Sequence, residues 1–380
     1  MSHPIYLDYN ATTPIDPEVV TEMLPFFNTN FGNPSSSYLP GRVNKLAIEK
    51  ARKQVASLIN AKPEEIFFTG SATESNNLAL RGSALANANK GRHLITSAVE
   101  HPAIIEVCKH LASQGWDITY LPTDHFGAVD PADVEKAIRK DTVLITIMHA
   151  NNEVGTIQPI SEIAFIAKKN QITFHTDAAQ SLGKIEVDVQ QLGVDLLTIA
   201  GHKLYAPKGI GALYIKQGTK VENIIYGAGQ ERGIRPGTEN VPYIVGLGKA
   251  CELAQQNLSA NSKHLSTLRD KLLHGLQEKL GTTVKINADL TNCLPNTLSV
   301  AFEGVEAHTL ASLIEKEIYI STGSACHADS IELSPVLKAM NTDRLTAAST
   351  VRISVGKPTT DNEIDRAIEI ISKAVNLLNK

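Results

Sequence analysis

Between residues 42 and 60 the apolar positions Val43, Leu46, Ala47, Ala51, Val55, Leu58 and Ile59 return at intervals close to three and four, with charges between them. That spacing predicts an amphipathic helix with one face on a sheet. Short runs rich in β-branched and aromatic residues then recur between helical stretches, at 66–69, 93–96, 142–147, 172–175 and 196–199. Strands apolar on both faces and separated by helix-length segments predict a mostly parallel central sheet covered by helices, an α/β fold. Residues 241–256 have helical character, and the polar stretch 257–263 predicts a hinge before a long helix and a smaller α+β region. The expected division is a large domain over 15–258 and a small C-terminal domain over 259–380, with the segment 1–14 packed against the latter. Near the end Ile364, Ile368, Ile371, Val375 and Leu378 alternate at spacings of four and three, the apolar stripe of a terminal helix.

Composition changes this picture little. The 380 residues are 42% hydrophobic and 20% charged, ordinary for a globular protein, and 36 basic against 40 acidic residues leave a net charge of -4. No long block of one charge suggests a nucleic-acid or membrane surface, so direct nucleic-acid binding is not expected and a small-molecule partner is. Cys108, Cys251, Cys293 and Cys326 are widely scattered, with neither a CxxC metal pattern nor a disulfide framework. The start lacks a signal-peptide pattern, and no apolar run approaches the roughly 20 residues of a membrane span. A soluble, cytoplasmic protein is expected.

The chemistry lies at predicted strand ends, where open α/β sheets bind ligands. Asp177 ends one strand within His175-Thr176-Asp177-Ala178-Ala179-Gln180, and Lys203 follows another in Ala200-Gly201-His202-Lys203. A lysine able to meet a cofactor aldehyde and a carboxylate able to keep a pyridine nitrogen protonated together point to pyridoxal 5'-phosphate (PLP). The segment 69–77, joining a strand to a helix, offers N–H groups and hydroxyls for a phosphate. His101 can stack on a ring and move protons near neutrality. Arg352, alternating with apolar neighbours in a strand-like run, suits a substrate carboxylate. Each has a plain structural alternative: a surface lysine, a capping aspartate, a capping box from Ser71 to Glu74, a strand-end histidine. Cys326, flanked by small and polar residues, reads as a reachable thiol, whereas the other three cysteines read as structural.

Taken together, the motifs Tyr6-Leu7-Asp8-Tyr9-Asn10-Ala11-Thr12-Thr13-Pro14, Gly32-Asn33-Pro34-Ser35-Ser36, Thr73-Glu74-Ser75-Asn76-Asn77, Asn151-Asn152-Glu153-Val154-Gly155, the Asp177 and Lys203 segments, Arg235-Pro236-Gly237-Thr238-Glu239-Asn240 and Gly323-Ser324-Ala325-Cys326 occur in order. The chain resembles the cysteine desulfurases of the NifS/IscS kind, among the class V aminotransferases of PLP fold type I. That resemblance implies that Lys203 holds the cofactor aldehyde, Asp177 meets the pyridine nitrogen, Gln180 and Asn152 approach the ring hydroxyl, and His101 lies over the ring. It implies phosphate contacts from Ala72, Thr73 and His202, with Thr238 reaching in from a second subunit of a homodimer. Asn33, Asn152 and Arg352 would face L-cysteine, and Cys326 would take its sulfur as a persulfide and pass it to an acceptor protein. Iron–sulfur scaffolds, tRNA thiolation factors and DNA phosphorothioation systems are the acceptor classes implied, and a selenocysteine lyase with the same cofactor chemistry is the alternative. One departure is Ala200, where relatives carry Ser or Thr, a difference of one hydrogen bond worth roughly 0.5 to 1.5 kcal/mol. The eight residues from His327 to Ser334 resemble the long mobile loop of one branch of the family.

Overall fold

The computed structural model describes residues 4–379 apart from 323, 328 and 329; the side chains of 324–327 and 330–332 also lie outside the described residues. The chain opens on strand β1 (Ile5–Tyr6). Seven strands follow: β2 (Ile66–Thr69), β3 (His93–Ser97), β4 (Asp117–Leu121), β5 (Thr142–Thr146), β6 (Thr173–Asp177), β7 (Leu196–Ala200) and β8 (Gly211–Ile215). They form one sheet in the order β2-β8-β7-β6-β5-β3-β4. The strands from β4 to β7 run parallel, with Ile145 beside Phe174 and His175 beside Leu196, while β8 runs antiparallel to both β7 and β2. Every residue of β3, β5 and β7 is buried, as a parallel sheet covered on both faces requires.

The first expected helix spans Leu39–Leu58 and buries Ile48, Ala51 and Val55. Val43 and Leu46 do not join that stripe: they are 36% and 71% exposed. The buried face is set by a neighbouring helix as well as the sheet, because a Cβ at Gly248 would lie 2.6 Å from the Ala51 Cα. Glycine there lets the two helices approach to backbone contact.

The expected hinge at 257–263 is corrected by the structure, since Val241–Leu280 is a single helix of 40 residues. Its buried residues stop at Ala254 and resume at Leu265. The polar stretch is the exposed span of a helix running from one hydrophobic cluster, which holds Leu253 and Ala254, to another, which holds Leu265, Leu268 and Leu272. With no Gly or Pro within it, nothing breaks the helix there.

The remaining strands are β9 (Val284–Ile286), β10 (Thr297–Phe302), β11 (Ile318–Tyr319), β12 (Ser321–Thr322), β13 (Ser324–His327), β14 (Ser330–Leu333) and β15 (Thr350–Ser354). Four make a sheet in the order β12-β15-β10-β9, and β1 pairs in parallel with β11. Ile5 and Leu7 therefore belong to the same cluster as Leu265 and Ile353. The terminal helix Asp361–Leu378 starts at a reciprocal cap, with the Thr360 hydroxyl accepting from the Glu363 N–H and the Glu363 carboxylate accepting from the Thr360 N–H. It buries Ile364, Ile368, Ile371 and Val375. The segment read as a long loop carries the antiparallel pair β13 and β14, with Cys326 opposite Ile331 in register.

Candidate active site

The carboxyl ends of β3, β5, β6 and β7 gather the chemistry on one edge of the large sheet. A single-turn helix after β7, Gly201–Lys203, turns the chain sharply: a Cβ at Gly201 would meet the Ile210 side chain at 2.7 Å, so only glycine lets the turn sit on β8. The turn projects Lys203, whose Nζ donates to the Ala11 carbonyl at 2.8 Å and also to the Asn10 carbonyl. Burial lowers the Lys203 amine to about 8, the nearby Arg352 cation adds to the effect, and Asp8 and Asp177 oppose it. An amine so shifted is poised as a nucleophile and base near neutrality.

Asp177, the last residue of β6, is buried. Its Oδ2 accepts from Asn76 Nδ2 at 2.7 Å and its Oδ1 from the Ala179 N–H at 2.9 Å. Gln180 follows, with Nε2 donating to the Asn10 carbonyl at 3.0 Å and Oε1 accepting from Lys184 Nζ at 2.8 Å. His101 ends the turn after β3 and caps the helix Pro102–Ser113, its Nδ1 accepting from the Ala103 N–H at 3.1 Å. Because Nδ1 accepts, the neutral ring carries its proton on Nε2. Desolvation of the ring lowers its pKa, with Asp177 opposing and Lys203 adding.

The helix Ala72–Asn87 starts at Ser71, whose hydroxyl accepts from the Glu74 N–H at 3.2 Å. The expected reciprocal box is only half formed. The Glu74 carboxylate accepts instead from the Gly70 N–H at 2.8 Å and pairs with Arg235 Nε at 2.7 Å. The N–H groups of Ala72 and Thr73 take no acceptor among the described residues, so the helix presents two free donors at its positive end. A Cβ at Gly211 would lie 2.7 Å from the Ser71 carbonyl carbon, so β8 leaves room for this turn only as glycine. His202 lies beside it, its Nδ1 at 3.2 Å from Thr12 Oγ1, and burial lowers its ring to about 4, Lys203 adding.

Arg352 enters from β15. Its Nη1 donates to the Asn152 carbonyl at 3.1 Å, its Nη2 pairs with Asp8 Oδ1 at 2.6 Å, and its buried Nε has no partner among the described residues. Ala72, Thr73, His101, Asn152, Asp177, Gln180, His202, Lys203 and Arg352 thus line one cavity of about 470 Å³, with Ala200 on its wall. A second cavity of about 250 Å³ shares Asn152 and Arg352 and is bordered by Ser321, Thr322 and Ser334, the residues flanking the β13–β14 pair that carries Cys326. The Cys326 side chain lies outside the described residues. Cys108, Cys251 and Cys293 are buried, and burial pushes their thiols up, to about 12 for Cys108 and about 11 for Cys293.

Two expected residues are not on the wall. Asn33 is exposed in a turn where its Oδ1 accepts from the Ser35 N–H at 2.9 Å, and Thr238 is exposed in the loop after Arg235. Sequence reasoning missed the contributions of Asn76 and Asn10. Asn76 sits buried one turn into a helix, and Asn10 links Gln180, Asn152, Thr297 and Ser354 through hydrogen bonds. A polar residue on the sheet-facing side of a helix was the signal available for Asn76.

The donor set fits PLP on this geometry. Free N–H groups at a helix start suit its phosphate, a buried carboxylate suits its ring nitrogen, a carboxamide suits its ring hydroxyl, and a depressed lysine suits its aldehyde. The family model for class-V aminotransferases matches residues 5–367. The chain is 48% identical over 375 residues to the cysteine desulfurase IscS of Methanosarcina thermophila, an alignment covering 98% of this chain and 92% of that one. Among solved structures, a NifS-like protein superposes with a TM-score of 0.93 at 40% identity, covering 98% of this chain and all of the other. A structure described as SspA in complex with cysteine gives 0.82 at 37% identity, covering 94% of this chain and all of that one.

Proposed function

The chain belongs to the class-V aminotransferase family and is a PLP-dependent cysteine desulfurase, and we propose how its own residues divide that work. Bound PLP supplies an aldehyde that condenses with an amino group and a ring that withdraws electrons from the substrate α-carbon. Ala72, Thr73 and His202 would hold its phosphate, Asp177 its ring nitrogen, and Gln180 with Asn152 the ring hydroxyl side. Lys203 would hold the aldehyde, and its amine would move the α-proton of L-cysteine. Arg352 would offer its Nε, unpartnered among the described residues, to the substrate carboxylate, Asn152 would complete the substrate side, and His101 would exchange a proton near the sulfur through Nε2.

The Cys326 thiolate attacks the substrate sulfur. A sulfur–sulfur bond forms as the carbon–sulfur bond breaks, and the electron pair stays with the carbon skeleton, which takes one proton at the β-carbon and regains the α-proton from Lys203 to become alanine. L-cysteine and the Cys326 thiol thereby yield L-alanine and a Cys326 persulfide, which passes to an acceptor protein. The observation that carries this reading is the pair of cavities sharing Asn152 and Arg352, one holding Lys203 and Asp177 and the other bordered by the roots of the Cys326 hairpin.

We propose also that the working unit is a homodimer, with Thr238 serving the neighbouring subunit. In support, Phe31, Leu39, Leu46 and Tyr226 are 79%, 64%, 71% and 83% exposed, apolar side chains that a second copy would cover. For the proposed division at 258/259, support comes from the two clusters bridged by the long helix, with Ile5 and Leu7 of the segment 1–14 packed in the second. A single exposure of the holoenzyme to L-cysteine, followed by mass spectrometry, tests the sulfur transfer. One added sulfur on Cys326 and one alanine are expected, both lost in Cys326→Ser; a persulfide persisting in that variant overturns the assignment.

A further inference from the structure

Lys184 is a lysine with no carboxylate partner among the described residues, only 6% exposed, four residues after Gln180 and beneath the cavity wall. Its Nζ meets two oxygens, Gln180 Oε1 at 2.8 Å and Asn10 Oδ1 at 3.1 Å. Asn10 Oδ1 also accepts from Asn296 Nδ2 at 2.9 Å, while Asn10 Nδ2 donates to Thr297 Oγ1 at 2.8 Å. Each carboxamide therefore has its oxygen turned toward the lysine and its nitrogen turned away.

Burying an amine among amides is unfavourable, and an apolar residue of the same length would fill the space without that penalty. Burial holds the Lys184 amine well below the ordinary lysine value, with the cations of Lys203 and Arg352 adding. A neutral amine has two N–H bonds, matching the two oxygens it meets. What the amine provides is direction. A carboxamide can present either end to a neighbour, and a donor beside it admits only the oxygen. With Oε1 fixed on Lys184, the Gln180 amide nitrogen turns toward the Asn10 carbonyl and the cavity that Gln180 lines.

We propose that Lys184 is a positioning residue that sets which end of the Gln180 carboxamide faces the cofactor, so that the ring hydroxyl meets a donor rather than a carbonyl. This rests on the assignment of Gln180 to the ring hydroxyl made above. A donor at that oxygen stabilises its deprotonated form, so losing the donor lets the bound cofactor keep its proton to higher pH. The consequence is a spectroscopic one, distinct from any loss of stability.

The test is a pH titration of the visible absorbance of the holoenzyme. Lys184→Met should move the midpoint upward by about one unit, the shift that one hydrogen bond to a charged oxygen makes. Gln180→Ala should move it equally, and the double variant should match either single one, because the two act through one contact. Lys184→Gln, which keeps a donor, should return the midpoint toward that of the parent, and it serves if the methionine variant fails to fold. A midpoint unchanged in Lys184→Met or equally displaced in Lys184→Gln, or shifts that add in the double variant, would overturn the proposal even if cofactor affinity or melting temperature falls. If Gln180→Ala leaves the midpoint unmoved, the ring-hydroxyl assignment fails instead, and a parent without a visible band would overturn the cofactor reading itself.

Discussion

Asn76 Nδ2 donates to Asp177 Oδ2 at 2.7 Å, both side chains buried, so the end of β6 and the helix Ala72–Asn87, whose N-terminus we assign to the phosphate, are joined by one hydrogen bond. The Ala179 N–H holds the other oxygen at 2.9 Å, and the carboxylate cannot rotate without breaking both bonds. Asp177→Asn removes the charge proposed to keep a pyridine nitrogen protonated while leaving Lys203 and the helix N-terminus in place. Cofactor should still bind, and single-turnover alanine formation should fall by about a hundredfold or more, with Asn76→Ala costing nearer tenfold through loss of orientation alone. Parent-like turnover in Asp177→Asn would remove the electron-sink role from this residue.

The ion pair of Arg352 with Asp8 bears on Lys203 as well as on substrate. With the Lys203 amine lowered to about 8, first by burial and then by Arg352, its reactive neutral form becomes abundant only as pH rises through that value. Cofactor uptake by the apoprotein should therefore accelerate with a midpoint near pH 8. Arg352→Gln removes a cation that disfavours the ammonium and should move the midpoint up; Asp8→Asn removes a stabilising anion and should move it down. Stopped-flow absorbance reads all three, and a midpoint that ignores both substitutions contradicts the electrostatic explanation.

Glu100 is buried beside His101, with Oε1 accepting from Ser97 Oγ and the Met148 N–H and Oε2 without a partner among the described residues. Burial raises its carboxyl from 4.5 to about 8. Because the folded value is the higher one, its contribution is fully present below pH 4.5 and is lost as pH rises toward 8, by up to about 1.4 kcal/mol per unit. Glu100→Gln keeps the acceptor and cannot ionise. Thermal unfolding should find the variant more stable than the parent above pH 8, with the difference shrinking at acid pH; a constant difference across pH would contradict burial as the cause.

The strands were legible because β3, β5 and β7 are buried on both faces and so carry adjacent apolar residues, Leu94-Ile95, Val143-Leu144-Ile145 and Leu196-Leu197, with no alternation of apolar and polar positions. Asp177 and Lys203 were legible because strand ends are where such a sheet binds ligands. The long helix was misread at 257–263 because loss of apolar periodicity looks alike in a loop and in a helix spanning two cores. Leu46 was misassigned because spacing alone cannot tell a core face from an exposed apolar one. Asn10, Asn76 and Lys184 were not given roles because their contacts join residues 101 to 344 positions apart, or an amide whose direction only geometry reveals.

The most direct measurement is the site of cofactor attachment. Two lysines, Lys203 and Lys184, are linked to the same Asn10, and Lys208 follows in the next turn. Borohydride reduction of the holoenzyme followed by peptide mapping should place the reduced cofactor on Lys203, with Lys203→Ala trapping none. A reduced cofactor on Lys184, Lys208 or any other lysine would contradict the account.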